Sequence, residues 1–343
     1  RQEVGEPHAK VAQCGIAGEN QVRYACVLND ISHAYGQAGM GAVMGSKNLR
    51  AIAVRGTLGV EEADSQTILD LAKSMATERK PQWEGFRDTG TAGGVVSLHN
   101  QSALPTKNFK FGQFDGNNRI SGQTMRDTVL VDRDNCYACP VHCKRVVKTG
   151  EPYNVDPRYG GPEYETVGSL GSICGIDDLP AVCKGNELCN AYGLDTISTG
   201  VSIGFAMECY EKGILTREQL DGIDAHFGNP QAMLALLEKI ARRDGIGDLL
   251  AEGTLRAARK IGKGSEDFAM QVKGQEIPMH EPRLKMGLGV GYALSPTGAD
   301  HCHNIHDTSY VKGNNKARSY GILEPLPADD LGPAKVRVLA YML

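Results

Sequence analysis

The sequence predicts an α+β protein: the end of an N-terminal β-rich domain followed by mostly α-helical domains. Three observations predict it. Short β-forming runs separated by glycine turns occupy residues 1–60, and capped segments with apolar residues at helical spacing follow over 61–270. From 271 to 343 the chain first returns to an extended, proline-broken style and then starts a further helical domain.

The elements follow in order. Residues 21–28 alternate and are rich in β-formers, and Ala51, Ile52, Ala53 and Val54 form a short apolar run ended by Arg55, Gly56 and Thr57, so both read as strands. Between them Gly36, Gly39, Gly41 and Gly45 allow close approach to a ligand and leave N–H groups free to meet anions, although glycine loops often only turn a corner. Ser65, Gln66 and Thr67 can cap a helix whose apolar face carries Ile68, Leu71, Ala72 and Met75. Asn229 and Pro230 open another, carrying Ala232, Leu234, Leu236, Leu237 and Ile240. A third helix is expected over residues 248–261, ending at Gly262, while 150–161 is irregular.

Composition narrows the class. A chain of 343 residues with 41% hydrophobic content has room for two or three domains, and a net charge of -4 gives no reason to expect nucleic acid. No apolar run approaches the roughly 20 residues of a membrane span, and none resembles a signal peptide. Ten irregularly scattered cysteines do not resemble a disulfide framework, so a reducing, cytoplasmic setting is the expectation. Both ends look cut: the first residue is Arg1, and residues 329–343 read as a helix entering its apolar part without a cap.

Four segments carry chemistry. Cys136, Cys139 and Cys143 stand at x2 then x3 spacing with Pro140 after the second, a set that lets a loop wrap a cubane cluster with each thiolate on a different iron. Structural zinc is the alternative, since Cys-x2-Cys is also its half-motif, but no second such pair or matching histidine pair accompanies it. Glu163 and Glu165 stand at the mouth of an expected helix, where a carboxylate either serves chemistry or simply answers the helix dipole. Asn190, Gly193 and Asp195 can meet a heterocycle or cap the next helix. Residues 298–307 pack His301, His303 and His306 with Asp300 and Asp307, which makes metal ligation and proton transfer plausible.

Taken together, these residues resemble the aldehyde:ferredoxin oxidoreductase family. The resemblance rests on the glycine loop from Gly36 to Lys47 with Asn48, Leu49 and Arg50, the cysteine loop, Gly161-Pro162-Glu163-Tyr164-Glu165-Thr166, residues 190–198, Leu250-Ala251-Glu252-Gly253 and Gly298-Ala299-Asp300-His301. It implies tungsten, or sometimes molybdenum, held by two pterins. It places Gln37, Ala38 and Gly39 at the pterin phosphates, with a backbone carbonyl helping to hold a bridging magnesium. It places Asn190, Gly193, Leu194 and Asp195 on a pterin, and Cys136, Cys139 and Cys143 on a 4Fe-4S cluster. Glu165 and His301 fall beside the metal.

Three departures stand out. Gln37 occupies a position where the family commonly has arginine, Asn190 one where aspartate is usual, and the fourth cluster cysteine, expected in an Asp-x2-Gly-Leu-Cys motif, does not occur before Leu343. The implied activity is oxidation of an aldehyde with water to a carboxylic acid, with Glu165 as base, His301 as donor and ferredoxin or an iron–sulfur subunit as electron partner. A low-potential acid or aromatic-ring reductase of the same family is the runner-up, and a zinc or electron-transfer scaffold is the reading from another class. A homodimer is compatible with the resemblance, although the family's Glu and His ligands for a metal between subunits have no clear counterpart near Lys184.

Overall fold

The computed structural model describes residues 1–78, 81–312 and 315–342. Strands β1 (Lys10–Gln13), β2 (Val27–Asn29), β3 (His33–Tyr35) and β4 (Ala51–Val54) form an antiparallel sheet in the order β3-β2-β1-β4. Helices α1 (Gly15–Glu19) and α2 (Met40–Ser46) lie in the connections after β1 and before β4. The strand at residues 51–54 is as expected. The strand expected at 21–28 is a correction, because only Val27 and Leu28 of this stretch join the sheet. Val22, Ala25 and Arg23 send their N–H groups to Ala17, Val22 and Ala251, and the Tyr24 hydroxyl reaches the Leu250 carbonyl at 3.0 Å. The backbone polar groups are thus satisfied by turns and a tertiary contact rather than a ladder, while Val22, Tyr24, Ala25 and Cys26 are all buried.

Helix α3 (Ser65–Thr77) is capped by Asp64, whose side chain accepts from the Thr67 N–H. Its expected apolar face carries Ile68, Leu71 and Met75, all of them exposed. Helices α4 (Pro81–Thr89), α5 (Val95–Asn100) and α6 (Gly122–Thr128) lead to a hairpin of β5 (Leu130–Asp134) and β6 (Lys144–Val147), whose tip is the cysteine loop.

Next come α7 (Tyr164–Thr166), a π-helical turn over Val167–Gly171, α8 (Leu179–Tyr192) and α9 (Thr196–Glu211). Helix α9 is apolar or small on every side and buried from Ile197 to Cys209, as a helix at the centre of a core must be. Asn229 caps α10 (Pro230–Arg242), as its sequence anticipates.

The single helix expected over 248–261 is two, α11 (Ile246–Leu250) and α12 (Thr254–Ile261). Gly253, with φ +83, breaks it, and the Thr254 N–H then turns to the buried Glu276 carboxylate at 2.8 Å. A small hairpin of β7 (Gln271–Val272) and β8 (Gln275–Glu276) precedes α13 (Met286–Leu294) and α14 (Pro333–Met342). One large apolar core runs from Ala17 to Met279, and a separate cluster links Ile305, Ala317, Ile322, Leu326, Val338 and Leu339.

Candidate active site

Helix α7 is one turn long, yet it presents two carboxylates in different directions. Glu163, its N-cap, accepts from the Thr91 hydroxyl at 2.5 Å, and Glu165 turns toward the segment before α13. There the Met279 N–H donates to Glu165 Oε2 at 2.8 Å. His280 Nε2 lies 3.1 Å and His301 Nε2 3.8 Å from Glu165 Oε1. The His280 contact is too poorly aligned for a hydrogen bond, so the buried Oε1 has no hydrogen-bond donor among the described residues, and neither does His301 Nδ1 have a partner. These groups line one end of a cavity of about 720 Å³, whose other walls come from α4 and α5, including Phe86, Gly94, Ser97 and Leu98. Among the described residues no lysine or arginine lines it.

The charges sort themselves. Burial alone pushes the Glu165 carboxyl up, but the contact with His280, the charge of His301 and the Met279 N–H outweigh it and hold the group at about 2. Burial also opposes a charge on His301, yet Cys302, whose Sγ lies 3.7 Å from Nε2, and the Glu165 carboxylate raise it to about 9. Burial and the neighbouring His280 push His306 down to about 4, and burial lowers His280 despite Glu165. At neutral pH the centre therefore holds a carboxylate and one imidazolium, on His301.

The glycine loop and the residues of the 190–195 segment come together beside this centre. A side chain at Gly36 would meet Asp195 Oδ1 at 3.6 Å, Cys26 N–H donates to the Gly193 carbonyl, and Ala25 bridges Leu194. Ala38, at φ +71, and Gly39, at φ +69, take left-handed backbone. At Gly39 a Cβ would strike the Arg23 carbonyl at 2.1 Å, so only glycine fits there. Both residues line a cavity of about 310 Å³ that also holds three cations, Arg23, Arg256 and Lys273, and two carboxylates, Glu252, paired with Arg23 at 2.8 Å, and Glu276. Gln37 reaches across to the Ala299 carbonyl at 3.3 Å, two residues before His301. Asp195 caps α9 through the Ile197 and Ser198 N–H groups, and Asn190 donates to the Tyr159 carbonyl at 2.8 Å.

The cysteine loop is built from local turns. Cys139 N–H donates to the Cys136 carbonyl, Asn135 holds the Cys139 carbonyl at 3.1 Å, and Ala138 and His142 both have φ +54. All ten cysteines are free thiols. Burial, then the charge of Glu163, pushes the Cys143 thiol up, which puts this loop beside α7. Arg145, 1% exposed, anchors the loop to the cavity wall by donating to the carbonyls of His142 and Cys143 and to those of Arg87 and Asp88 at the end of α4.

Sequence reasoning missed His280, Lys285, Thr91 and the cations Arg23, Arg256 and Lys273. His280 and Lys285 lie in a proline-broken stretch with no period to mark an inward face, and the three cations are far apart in sequence. Only spatial neighbours distinguish them.

The fold and the site define an α+β protein with a buried carboxylate–imidazole centre set between a cysteine loop and a cation-lined glycine loop. Comparison with known proteins makes that more particular. Residues 68–342 match the model for aldehyde ferredoxin oxidoreductase, domains 2 and 3, and residues 1–56 match that for the N-terminal domain of aldehyde ferredoxin oxidoreductase. The chain belongs to the aldehyde ferredoxin oxidoreductase family.

It is 40% identical over 310 residues to a tungsten-containing aldehyde ferredoxin oxidoreductase of Pyrococcus abyssi, covering 88% of this chain and 50% of that protein. It is 34% identical over 297 residues to the WOR-like subunit of an aliphatic sulfonate oxidoreductase of Pyrococcus furiosus, covering 84% and 47%. Among solved structures, the active-site complex BamBC of benzoyl coenzyme A reductase, bound to 1,5-dienoyl-CoA, is similar at TM-score 0.67 and 26% identity, over 85% of this chain and 47% of that one. The chain thus spans about half the length of the curated relatives it matches.

Proposed function

We propose that this chain forms the active-site region of a tungsten, or molybdenum, bis-pterin enzyme that oxidises an aldehyde with water to a carboxylic acid and passes the electrons through a 4Fe-4S cluster to ferredoxin or an iron–sulfur subunit. The observation that carries the reading is the meeting of Glu165 and His301 across one cavity, with the glycine loop tied to the same segment by Gln37. The residues fit the implied groups. Ala38 and Gly39, beside Arg23, Arg256 and Lys273, would hold pterin phosphates and their bridging magnesium, and Gly193, Leu194 and Asp195 with Asn190 would lie along a pterin. Cys136, Cys139 and Cys143 would hold the cluster, while Cys174 and Cys183 are buried in the core with raised thiols and suit no ligand role. In this reading residues 1–60 close a pterin-binding domain, 61–270 form a helical domain and 271–343 begin the next.

The bound cofactor supplies the two-electron oxidation and its single-electron relay. The chain supplies charge and protons. His301, protonated up to about pH 9, donates from Nε2 to oxygen on the substrate side of the cavity, and Glu165, ionised down to about pH 2, accepts a proton at Oε1, the atom left without a donor. Phe86, Leu98 and Tyr164 give the cavity an apolar side, and the absence of lysine and arginine among its described lining residues favours an uncharged substrate. Identity of 40% to the aldehyde enzymes against 26% to the ring reductase favours aldehyde oxidation over reduction.

The test is analysis of the full-length protein purified without oxygen. Tungsten or molybdenum with pterin, iron and sulfide near four each per chain, and aldehyde-dependent reduction of ferredoxin are expected. Zinc without pterin would overturn the reading.

A further inference from the structure

Lys285 stands just before α13 and is 3% exposed, which is unusual for a lysine without a carboxylate partner. Its Nζ lies 2.9 Å from His280 Nδ1. The nearby carboxylate that might have claimed it is engaged elsewhere: Asp307 accepts from the Gly287 and Leu288 N–H groups and pairs with buried Lys335 at 2.5 Å. The turn that carries Lys285 is also held. Arg283 grips Glu281 with two bonds of 2.7 Å and reaches the Phe109 carbonyl at 2.8 Å, and the Lys285 N–H closes onto the Glu281 carbonyl at 3.0 Å.

We infer that Lys285 is a positioning residue that fixes the proton of His280 on Nε2, so that His280 stays neutral with that N–H beside Glu165, and the exchangeable proton of the centre belongs to His301. This deepens the proposed function and rests on it only for the catalytic consequence. Burial lowers the Lys285 ammonium, the charges of Glu165 and Asp307 oppose that, and while it is an ammonium it has three donors and no acceptor, so its partner Nδ1 must accept. A neutral imidazole accepting at Nδ1 carries its proton at Nε2, the atom 3.1 Å from Glu165 Oε1. A second proton could enter His280 only at Nδ1, at the expense of the Lys285 bond. The other groups facing His280 act the same way or are neutral. His301 presents positive charge at a ring separation of 5.1 Å, His306 packs edge-on at 4.6 Å, and Tyr164 lies at 5.5 Å. Glu165 alone favours a charged His280.

The arrangement separates two imidazoles that the sequence could not tell apart in role. His280 orients the carboxylate, and His301 carries the proton that moves. Without Lys285 either histidine could take the proton, and the centre would have two competing protonated forms.

The experiment uses full-length Lys285→Met, which keeps volume and removes the donor, with Lys285→Arg as the control that restores one. Diethyl pyrocarbonate reacts at an unprotonated imidazole nitrogen, and mass mapping of the modified peptide reads His280 directly, with or without cofactor. The pH midpoint below which His280 labelling is lost should rise in Lys285→Met relative to the parent and return in Lys285→Arg, because His280 then takes a second proton more readily. In the loaded enzyme the same substitution should lower kcat by about 10- to 100-fold, the usual cost of losing a group that orients a functional imidazole, and should add a loss of activity on the acid side. An unchanged pH midpoint of His280 labelling in folded Lys285→Met would overturn the inference. If the parent enzyme oxidised no aldehyde, the proposed function would fail while the labelling would still decide the role of Lys285.

Discussion

At the scale of single residues, the centre works by holding opposite charges where burial would erase both. Glu165 at about 2 and His301 at about 9 define a wide window in which the carboxylate is bare and the imidazole charged. The raised value on His301 means that its proton is retained below about 9 and lost above it, so kcat/KM should fall as pH rises through that value, while no acid limb from Glu165 should appear near neutrality. A pH profile on the loaded enzyme checks both limbs. Replacing Glu165 with Gln keeps the shape and the Met279 contact but removes the proton acceptor. Metal and pterin content should stay unchanged while turnover drops by about 100-fold or more, measured by metal analysis beside steady-state kinetics.

At the scale of elements, legibility followed local chemistry. The helix starts near 65 and at Asn229, the strand at 51–54 and the stop at Gly262 each depend on neighbours in sequence and were legible there, although the cap of α3 is Asp64 rather than the expected Ser65, Gln66 or Thr67. The 21–28 stretch and the break at Gly253 were not legible, because Tyr24 answers to Leu250 and Thr254 to Glu276, partners more than twenty residues away. The same limit explains the site. Glu165 and His301 were recognisable through their motifs, whereas His280 and Lys285 acquire meaning only when the segment before α13 docks against α7. Helix α5 offers a test of the cavity walls. Gly94 has φ -79, which any residue can adopt, and a Cβ there meets nothing within 4 Å. Gly94→Leu should fold normally and reduce kcat/KM for a bulky aromatic aldehyde by about tenfold or more relative to acetaldehyde, read by comparing the two substrates in one preparation.

At the scale of the whole molecule, the cysteine loop lies at the tip of the β5–β6 hairpin while the large core is built around α9. Loss of one thiolate should therefore cost iron far more than it costs folding. In Cys143→Ser, iron and sulfide should fall sharply with far-UV circular dichroism unchanged; loss of the helical signal would place the loop inside the folding unit. Gln37 has a wider consequence. Its amide ties the glycine loop to Ala299, and so to the strand of chain that carries His301. In the proposed function this one amide couples the loop that would hold the pterin phosphates to the segment that would supply the proton, so filling one should steady the other. Hydrogen exchange over residues 299–306 should slow on loading, and an equal rate in empty and loaded protein would show that the two loops move independently.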